Sequence, residues 1–538
     1  MNKDKSVSRF VITSTIQGMS LNENALKGLE TYCGENNAEL KISEIKYNPY
    51  KIEDYLIDTP EAVLPYLLND NWGVEDLFKV YAGIKVSPTA KKPLNGFSGF
   101  GGNEYVIIPS PRIQYIHQPT GVTDTVKVLA TTGTISNPEY PNNKTASIAE
   151  FHHTYGAVLV EVLHDTKRVI VRQLPIEDNG IVIDMGEIYT PTGDNVRTEV
   201  KALVLGDLHC IHMKDSMKTA LRELVSVLHP RETVLHDVLD SHSVSHHHIG
   251  DNFTNFHLAK HKVNIEDELT QSFWILDYIK GDSDTQLVLI DSNHNSHFTK
   301  WLNRANWQSN MSQATNILKW QLQMLTAIEK LPLSSKIPDL YGILAKAEFN
   351  DSMVVVHEDD SHNVEGFELG FHGHAGLNGS RSLNTISTRT ATKLVTAHTH
   401  SPQRMDGHLT VGTSSPLKLH YTSGLSTWGH ANVAIYEGGK AQLIPMLPND
   451  FRVYTEDLTP TEGVYSIEEE INRLIQNQCS GKKKPSIICY TQQDGFVSFS
   501  GYRNIKKFYG ISETASQNIM SGKIDEYQHI KVDWRASD

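Results

Sequence analysis

The sequence predicts an α/β protein that carries its chemistry at the ends of its strands. Three observations predict it. Beyond Val200 the chain offers a series of short apolar runs, each ending in a cluster of Asp, Asn or His. Between the first two runs, Met217, Ala220, Leu221, Leu224, Val225 and Leu228 recur at helical spacing, giving an amphipathic helix that returns the chain for a further strand. Residues 9 to 45 already read strand, helix, strand.

That opening unit has a β-rich run from Arg9 to Ser14, a helix from its cap at Asn22 to Tyr32, and an alternating strand from Glu39 to Ile45. The Pro-, Gly- and Ser-rich stretch from Lys85 to Gly102 predicts a loop, followed by β-rich runs at 105–108, 126–129 and 158–162. His152 and His153, adjacent in this region, read as structural or surface residues. A second long helix is predicted from Asn310 to Lys330, and Gly438-Gly439 predicts a hairpin turn between Ala434 and Pro445. Beyond Asp450, Ile467 to Gln476 suits a helix, and Gly481-Lys482-Lys483-Lys484-Pro485 a linker. The expected division is an α/β accessory domain at 1–195, a catalytic domain at 196–448 and a small helical module at 449–538.

A chain of 538 residues can bury a core in each of two or three domains. No apolar run reaches the ~20 residues of a membrane span, and the polar segment Met1 to Arg9 lacks the apolar core of a signal peptide. An intracellular protein without a membrane partner is expected. Cys33, Cys210, Cys479 and Cys489 are scattered without Cys-x-x-Cys spacing, which argues for thiols rather than disulfides or a thiolate zinc site. The 26 histidines crowd between His209 and His430, and imidazole is the commonest metal ligand. A net charge of −14 opposes simple binding to a phosphate backbone. Nucleic acid would have to be met through metal ions, a local basic surface or an assembly, and a homo-oligomer is expected.

Five clusters carry the chemistry. Asp207-Leu208-His209 follows an apolar run and can grip one ion. In His236-Asp237-Val238-Leu239-Asp240, one carboxylate can bridge two metals and the other, three residues on, can orient a histidine. Asp291-Ser292-Asn293-His294 pairs an amide-oxygen ligand with a free imidazole, and Phe371-His372-Gly373-His374 and Ala397-His398-Thr399-His400 complete the set. A lone Asp-x-His is mostly a chance surface pair, and His246-His247-His248 reads more simply as an exposed loop than as a metal site. Five ordered clusters, each after a β-like run, are together far more specific than any one of them.

Taken in order, these clusters resemble the calcineurin-like metallophosphoesterase signature of Asp-x-His, Gly-Asp-x-x-Asp, Gly-Asn-His, a lone His and Gly-His-x-His, over residues 200 to 447. The resemblance implies a β-sandwich flanked by helices and two divalent metal ions. Asp207, His209 and His400 would hold one ion and Asn293, His372 and His398 the other, with Asp237 bridging. Oxygen and nitrogen ligands without thiolate suit Mn²⁺, with Fe or Zn as alternatives. His372 is preferred to His374 because a His-Gly pair directly after a strand fits the signature better, but both stay open. His236, Ser292 and Ala397 stand where the family usually has Gly, Asn295 replaces a frequent acidic residue, and the span from Asp237 to Asn293 is long. His294 is the candidate general acid at the leaving oxygen, oriented by Asp240, with phosphate binding as its other possible role. Arg381 and Arg404 are candidate phosphate contacts.

The fold alone does not name the phosphoester. Phe10-Val11-Ile12-Thr13-Ser14, Leu29-Glu30-Thr31-Tyr32-Cys33 and the stretch from Glu150 to Ala157 resemble the DNA-degradation proteins that large lytic tailed bacteriophages make at the start of infection. That resemblance implies a Mn-dependent DNase that degrades host DNA in the bacterial cytoplasm. Asn504 to Tyr509, Gly510, and Ser512 to Met520 read helix, turn, helix beside Arg503, Lys506, Lys507 and Lys523, and resemble the small repeats appended to intron-encoded nucleases. DNA contact and docking on protein are equal readings of that pair. The alternative to a nuclease is a metallophosphatase or cyclic phosphodiesterase acting on small molecules or phosphoproteins.

Overall fold

In the computed structural model, a six-stranded sheet runs in the order Met353–Val356, Gln286–Ile290, Glu232–Leu235, Val200–Val204, His430–Tyr436, Lys440–Met446. The first four strands are parallel and the last two each run antiparallel to the strand before. The structure describes residues 7–46, 59–84, 86–119, 126–248, 251–261, 263–376, 391–419, 422–447, 487–491, 495–499, 526–527 and 530–533. The chain divides into two units, 1–455 and 456–538.

The pleat explains why the parallel strands are apolar throughout. Ala202, Val204, Val234, Val288 and Ile290 share one core with Phe78, Tyr115, Val128, Val395 and Leu409 of a second, ten-stranded sheet. Leu203, Leu287 and Leu289 are equally buried and alternate to the opposite face. The helix Leu340–Phe349 packs on that face, so closely that a Cβ on Gly342 would come within 2.9 Å of Val355 Cγ1. Asp215–Leu228, the helix expected from the 217–228 periodicity, buries Met217, Leu221, Leu224, Val225 and Leu228. The architecture is mixed α/β.

The ten-stranded sheet draws five strands from each side of residue 195. Its two halves join where Gln403–Met405 pairs antiparallel with Gln114–Gln118. A separate four-stranded sheet orders Ala38–Ile45, Val7–Ile16, Gly156–Leu163 and Arg168–Pro175. Its first two strands are parallel and are linked by the helix Glu23–Glu35, where the Asn22 side chain accepts from the Ala25 amide at 3.1 Å.

Two expectations need correction. The helix predicted over 310–330 starts only at Ala314 and ends at Ile328, preceded by 3-10 turns at Trp307–Ser309 and Met311–Gln313. Asn306 and Asn310 bond the local backbone there, which competes with helix initiation. In the second unit the described residues are strands, Gly495–Phe499, Ile487–Thr491, Ile530–Asp533 and Glu526–Tyr527 in sheet order, not helices. The run Ile487-Ile488-Cys489-Tyr490-Thr491 is β-branched and aromatic, a strand signal in its own right. The helix expected at 467–476, the linker at 481–485 and the helix pair at 504–520 lie outside the described residues. Among the described residues no helix is long and apolar enough to cross a membrane.

Candidate metal centre

The clusters sit where the parallel strands end, because the loops beyond the strands keep pairing. After Val200–Val204, Leu208 N donates to His236 O at 3.0 Å and His209 N to Asp237 O at 2.8 Å. From the other side Asp207 N donates to Gly412 O at 3.0 Å. Four site residues adopt left-handed backbone, with φ of 42° at His209, 41° at Asp237, 69° at His398 and 56° at His400. Non-glycine residues hold such conformations at a cost of about 1–3 kcal/mol each, and they persist where the surroundings over-determine them. His236, Ser292 and Ala397, which stand where the resembled signature has glycine, are not among them. After His236 and Ala397 the left-handed turn falls one residue later, on Asp237 and His398 themselves, whereas Ser292 is extended at φ −140° and caps the helix that starts at Asn293.

One group brings Asp207, His209, Asp237 and His400 together, with ligand atoms all within 4.8 Å of one another. His400 Nε2 lies 3.0 Å from Asp207 Oδ2 and 3.1 Å from His209 Nε2. A second group joins Asp237, His372 and His398 within the same limit. His372 Nε2 lies 3.1 Å from Asp237 Oδ2 and 3.1 Å from Asn293 Oδ1, so the asparagine belongs to this second group. Asp237 is common to both. His374 Nε2 instead faces Glu358 Oε1 at 3.6 Å, and His374 is not part of either group.

Asp240 anchors the imidazoles. Its Oδ1 lies 2.8 Å from His209 Nδ1 and 3.0 Å from His294 Nδ1, and its Oδ2 lies 3.3 Å from His212 Nε2. An Nδ1–H donated to the carboxylate fixes the tautomer of His209, which turns a bare Nε2 lone pair toward His400 and Asp207. His294 sits between Asp240 and the Asp237 carboxylate, to which its own backbone N–H is directed at 3.4 Å.

Burial would raise all three carboxyls, but the imidazoles around them reverse the effect. Asp207 is held below its usual range by His400 and His372, and Asp237 and Asp240 well below it by their histidine neighbours. Burial would lower His294, yet Asp237 and Asp240 push it up to about 9. His398 and His236, where burial and the neighbouring His372 act together, fall to about 4 and about 3. The centre is a buried pocket of anionic oxygen in which His294 is held toward its charged form and His398 and His236 toward the neutral one.

These donors fit divalent cations. Asp207 Oδ1 is buried and has no hydrogen-bond partner among the described residues. Two nitrogens each about 2.1 Å from one ion and at right angles to each other would stand about 3 Å apart, close to the 3.1 Å between His209 Nε2 and His400 Nε2. Carboxylate, amide and imidazole donors without sulfur form an oxygen- and nitrogen-based set of the kind that binds divalent first-row ions.

The chain is 29% identical over 461 residues to "Protein A1" of Escherichia phage T5. The match covers 82% of this chain and 82% of that one. It thus reaches well beyond the metal centre, and the chain is similar to a phage protein through most of its length. No family model and no solved structure matches it.

All nine candidate residues, Asp207, His209, Asp237, Asp240, Asn293, His294, His372, His398 and His400, meet at this one place. Arg404 does not. Its guanidinium is engaged by the carbonyl oxygens of Asp406 and Ala441, far from the role of a phosphate contact, while Arg381 lies outside the described residues. Three features went unread in the sequence. His209 shares Asp240 with His294, and His212 adds a third imidazole to the same carboxylate. Asn295 accepts from Leu239 N at 2.9 Å and so ties the 237–240 loop to the helix Asn293–Leu302. The spacing of His209 and His212 on one turn was the only available signal.

Proposed function

We propose that the chain is a dinuclear metal-dependent phosphodiesterase acting on DNA, a nuclease of the calcineurin-like type. The observation that carries this reading is the pair of buried donor groups that share Asp237. Two cations held there would neutralise phosphate oxygens and make water a nucleophile at neutral pH. The protein's own part is to position the phosphodiester and move a proton. His294, exposed enough to meet substrate and fixed by Asp240, delivers its proton to the leaving oxygen. Asp240 stays ionised throughout, and so holds the imidazolium ready without competing for the proton.

DNA as substrate, Mn²⁺ as metal and host-DNA degradation in the bacterial cytoplasm as role are supported by the sequence resemblance to early phage DNA-degradation proteins. Similarity to a phage protein over most of the chain is in keeping with them. Plasmid DNA and 4-nitrophenyl phosphate, compared side by side with Mn²⁺ and with a chelator, test the reading. Metal-dependent cleavage of plasmid with little monoester hydrolysis is the expected result, and the reverse selectivity identifies a phosphatase.

The assembly expected from the acidic balance has a candidate surface. On the helix Ala314–Ile328, Leu318, Leu322 and Leu325 form a stripe exposed by 48%, 65% and 59%. The opposite face is anchored by Ile317, Trp320 and Met324. A second copy related by a two-fold axis would present the same apolar stripe, a self-complementary contact. Leu322→Glu should lower the mass measured by light scattering, and an unchanged mass would place the contact elsewhere.

A further inference from the structure

Four rings make successive edge-to-face contacts through the first donor group. His294 meets His209 at 4.7 Å between centroids, His209 meets His400 at 5.0 Å, and His400 meets Trp428 at 4.1 Å. The proposed acid is at one end and an indole at the other, with two proposed ligands between them. Trp428 is only partly buried, unlike His209 and His400.

The residues on either side of Trp428 are held in place. Thr427 Oγ1 lies 2.6 Å from Ser401 Oγ and its carbonyl 3.2 Å from His117 Nδ1. Gly429 N donates to His400 O at 2.9 Å and its carbonyl accepts from Thr413 N at 2.9 Å. Any side chain on Gly429 would strike His117, at 2.3 Å from its Cβ, so the backbone is pressed against the sheet. A large aromatic face fixed in advance beside a reactive centre loses little entropy on receiving a planar ligand.

We propose that Trp428 stacks on the base of the nucleotide that is retained at the scissile phosphate. The inference rests on the phosphodiesterase reading and adds which part of the substrate is gripped. In an in-line displacement the leaving oxygen is apical, and His294 must reach it. The substituent that stays on phosphorus is equatorial and so projects sideways. Trp428, at the end of the row opposite His294, meets that substituent and not the leaving group. Stacking suits a nuclease of broad sequence range, because every base offers a π-face.

Two diesters with the same leaving group separate the possibilities: thymidine 5′-(4-nitrophenyl phosphate), which retains a nucleoside, and methyl 4-nitrophenyl phosphate, which retains only methyl. Each is measured with Mn²⁺ on full-length wild type, Trp428→Ala and Trp428→Phe, with metal content determined on the same samples. Trp428→Ala should lose about 10-fold in kcat/KM on the thymidine ester, mainly through KM, with the methyl ester and metal content unchanged. Trp428→Phe should lose less, and it carries the comparison alone if the alanine variant does not fold. Equal loss on both esters, or loss of metal, would show that Trp428 only supports His400 and would overturn the proposal. So would full activity of both variants on both esters. Wild type that hydrolyses neither diester fails earlier and removes the phosphodiesterase reading together with this one.

Discussion

His209 and His294 converge on a single oxygen: Asp240 Oδ1 lies 2.8 Å from Nδ1 of the first and 3.0 Å from Nδ1 of the second. One ring is a proposed metal ligand and the other the proposed acid. Their orientations are therefore set by the same carboxylate, and on the proposed reading metal affinity and proton transfer would be coupled through it.

Asp240→Asn should consequently damage both functions. The amide keeps the size of the side chain but cannot accept from both imidazoles at full strength. Loss of a partner that orients a ligand typically costs 10–100-fold in metal affinity or activity. Turnover titrated against Mn²⁺ should show a higher half-saturating concentration and a lower plateau. A lower plateau with unchanged metal dependence would mean that His209 is oriented by other contacts.

The two donor groups differ in how they should respond to loss of a member. Asp237 belongs to both, whereas Asn293 belongs to one. Asp237→Ala should abolish hydrolysis in a metal-replete assay while circular dichroism stays that of the wild type. Asn293→Ala should retain about one ion per chain, held by the Asp207, His209 and His400 group. Metal analysis after desalting distinguishes the two variants. Near-wild-type activity of Asp237→Ala would remove the bridging assignment.

Glu268 provides a test of stability against pH outside the donor groups. Its carboxylate accepts from the amides of His242 and Ser243 at 2.8 and 2.7 Å, yet burial raises its pKa from 4.5 to about 7. The folded state thus holds the proton after the unfolded chain has released it. Stability from this group is complete below about pH 4.5 and is lost as pH rises to about 7, by roughly 3 kcal/mol at most. Glu268→Gln removes the titration. In urea unfolding with chelator present, the difference between the variant and wild type should move in the variant's favour from pH 4.5 to 7 and then level off. A constant difference across that range would show that Glu268 is ionised in the fold at all these pH values.

The site was legible because its signals are local and repeated. Each ligand cluster follows an apolar run, so the one-dimensional pattern at 203–209, 234–240, 287–294 and 394–400 already encodes ligands at strand ends, the first three in the six-stranded sheet and the last in the ten-stranded one. The helix over 215–228 was legible for a similar reason, a single clean period. The ten-stranded sheet was not. Pairing of Gln403–Met405 with Gln114–Gln118 joins segments almost 300 residues apart, and no local pattern reports such a partner. Nor could the sequence place Trp428 beside His400, since the contact depends on Gly429 and Gly412 letting two backbones close together. The glycine departures at His236, Ser292 and Ala397 left the turns open, because which residue of a loop turns left-handed is decided by tertiary hydrogen bonds.

The assignment of His294 as acid makes the sharpest demand. Its ring is anchored by Asp240, stands beside His209 and lies next to the proposed ligand Asn293 in sequence, yet belongs to neither Asp237-sharing donor group. If it protonates the departing oxygen, His294→Ala should lower turnover of DNA by about 10²–10⁴, the range for general acid catalysis, with both metals still bound. A 4-nitrophenolate leaves without needing a proton, so the same variant should be far less impaired on a nitrophenyl diester. Metal content and both activities are to be measured on one preparation. Loss of one ion per chain would make His294 a ligand. Equal impairment on the two esters would instead assign it to binding phosphate, because a group that holds the ground state and the transition state alike is indifferent to how well the leaving oxygen carries charge.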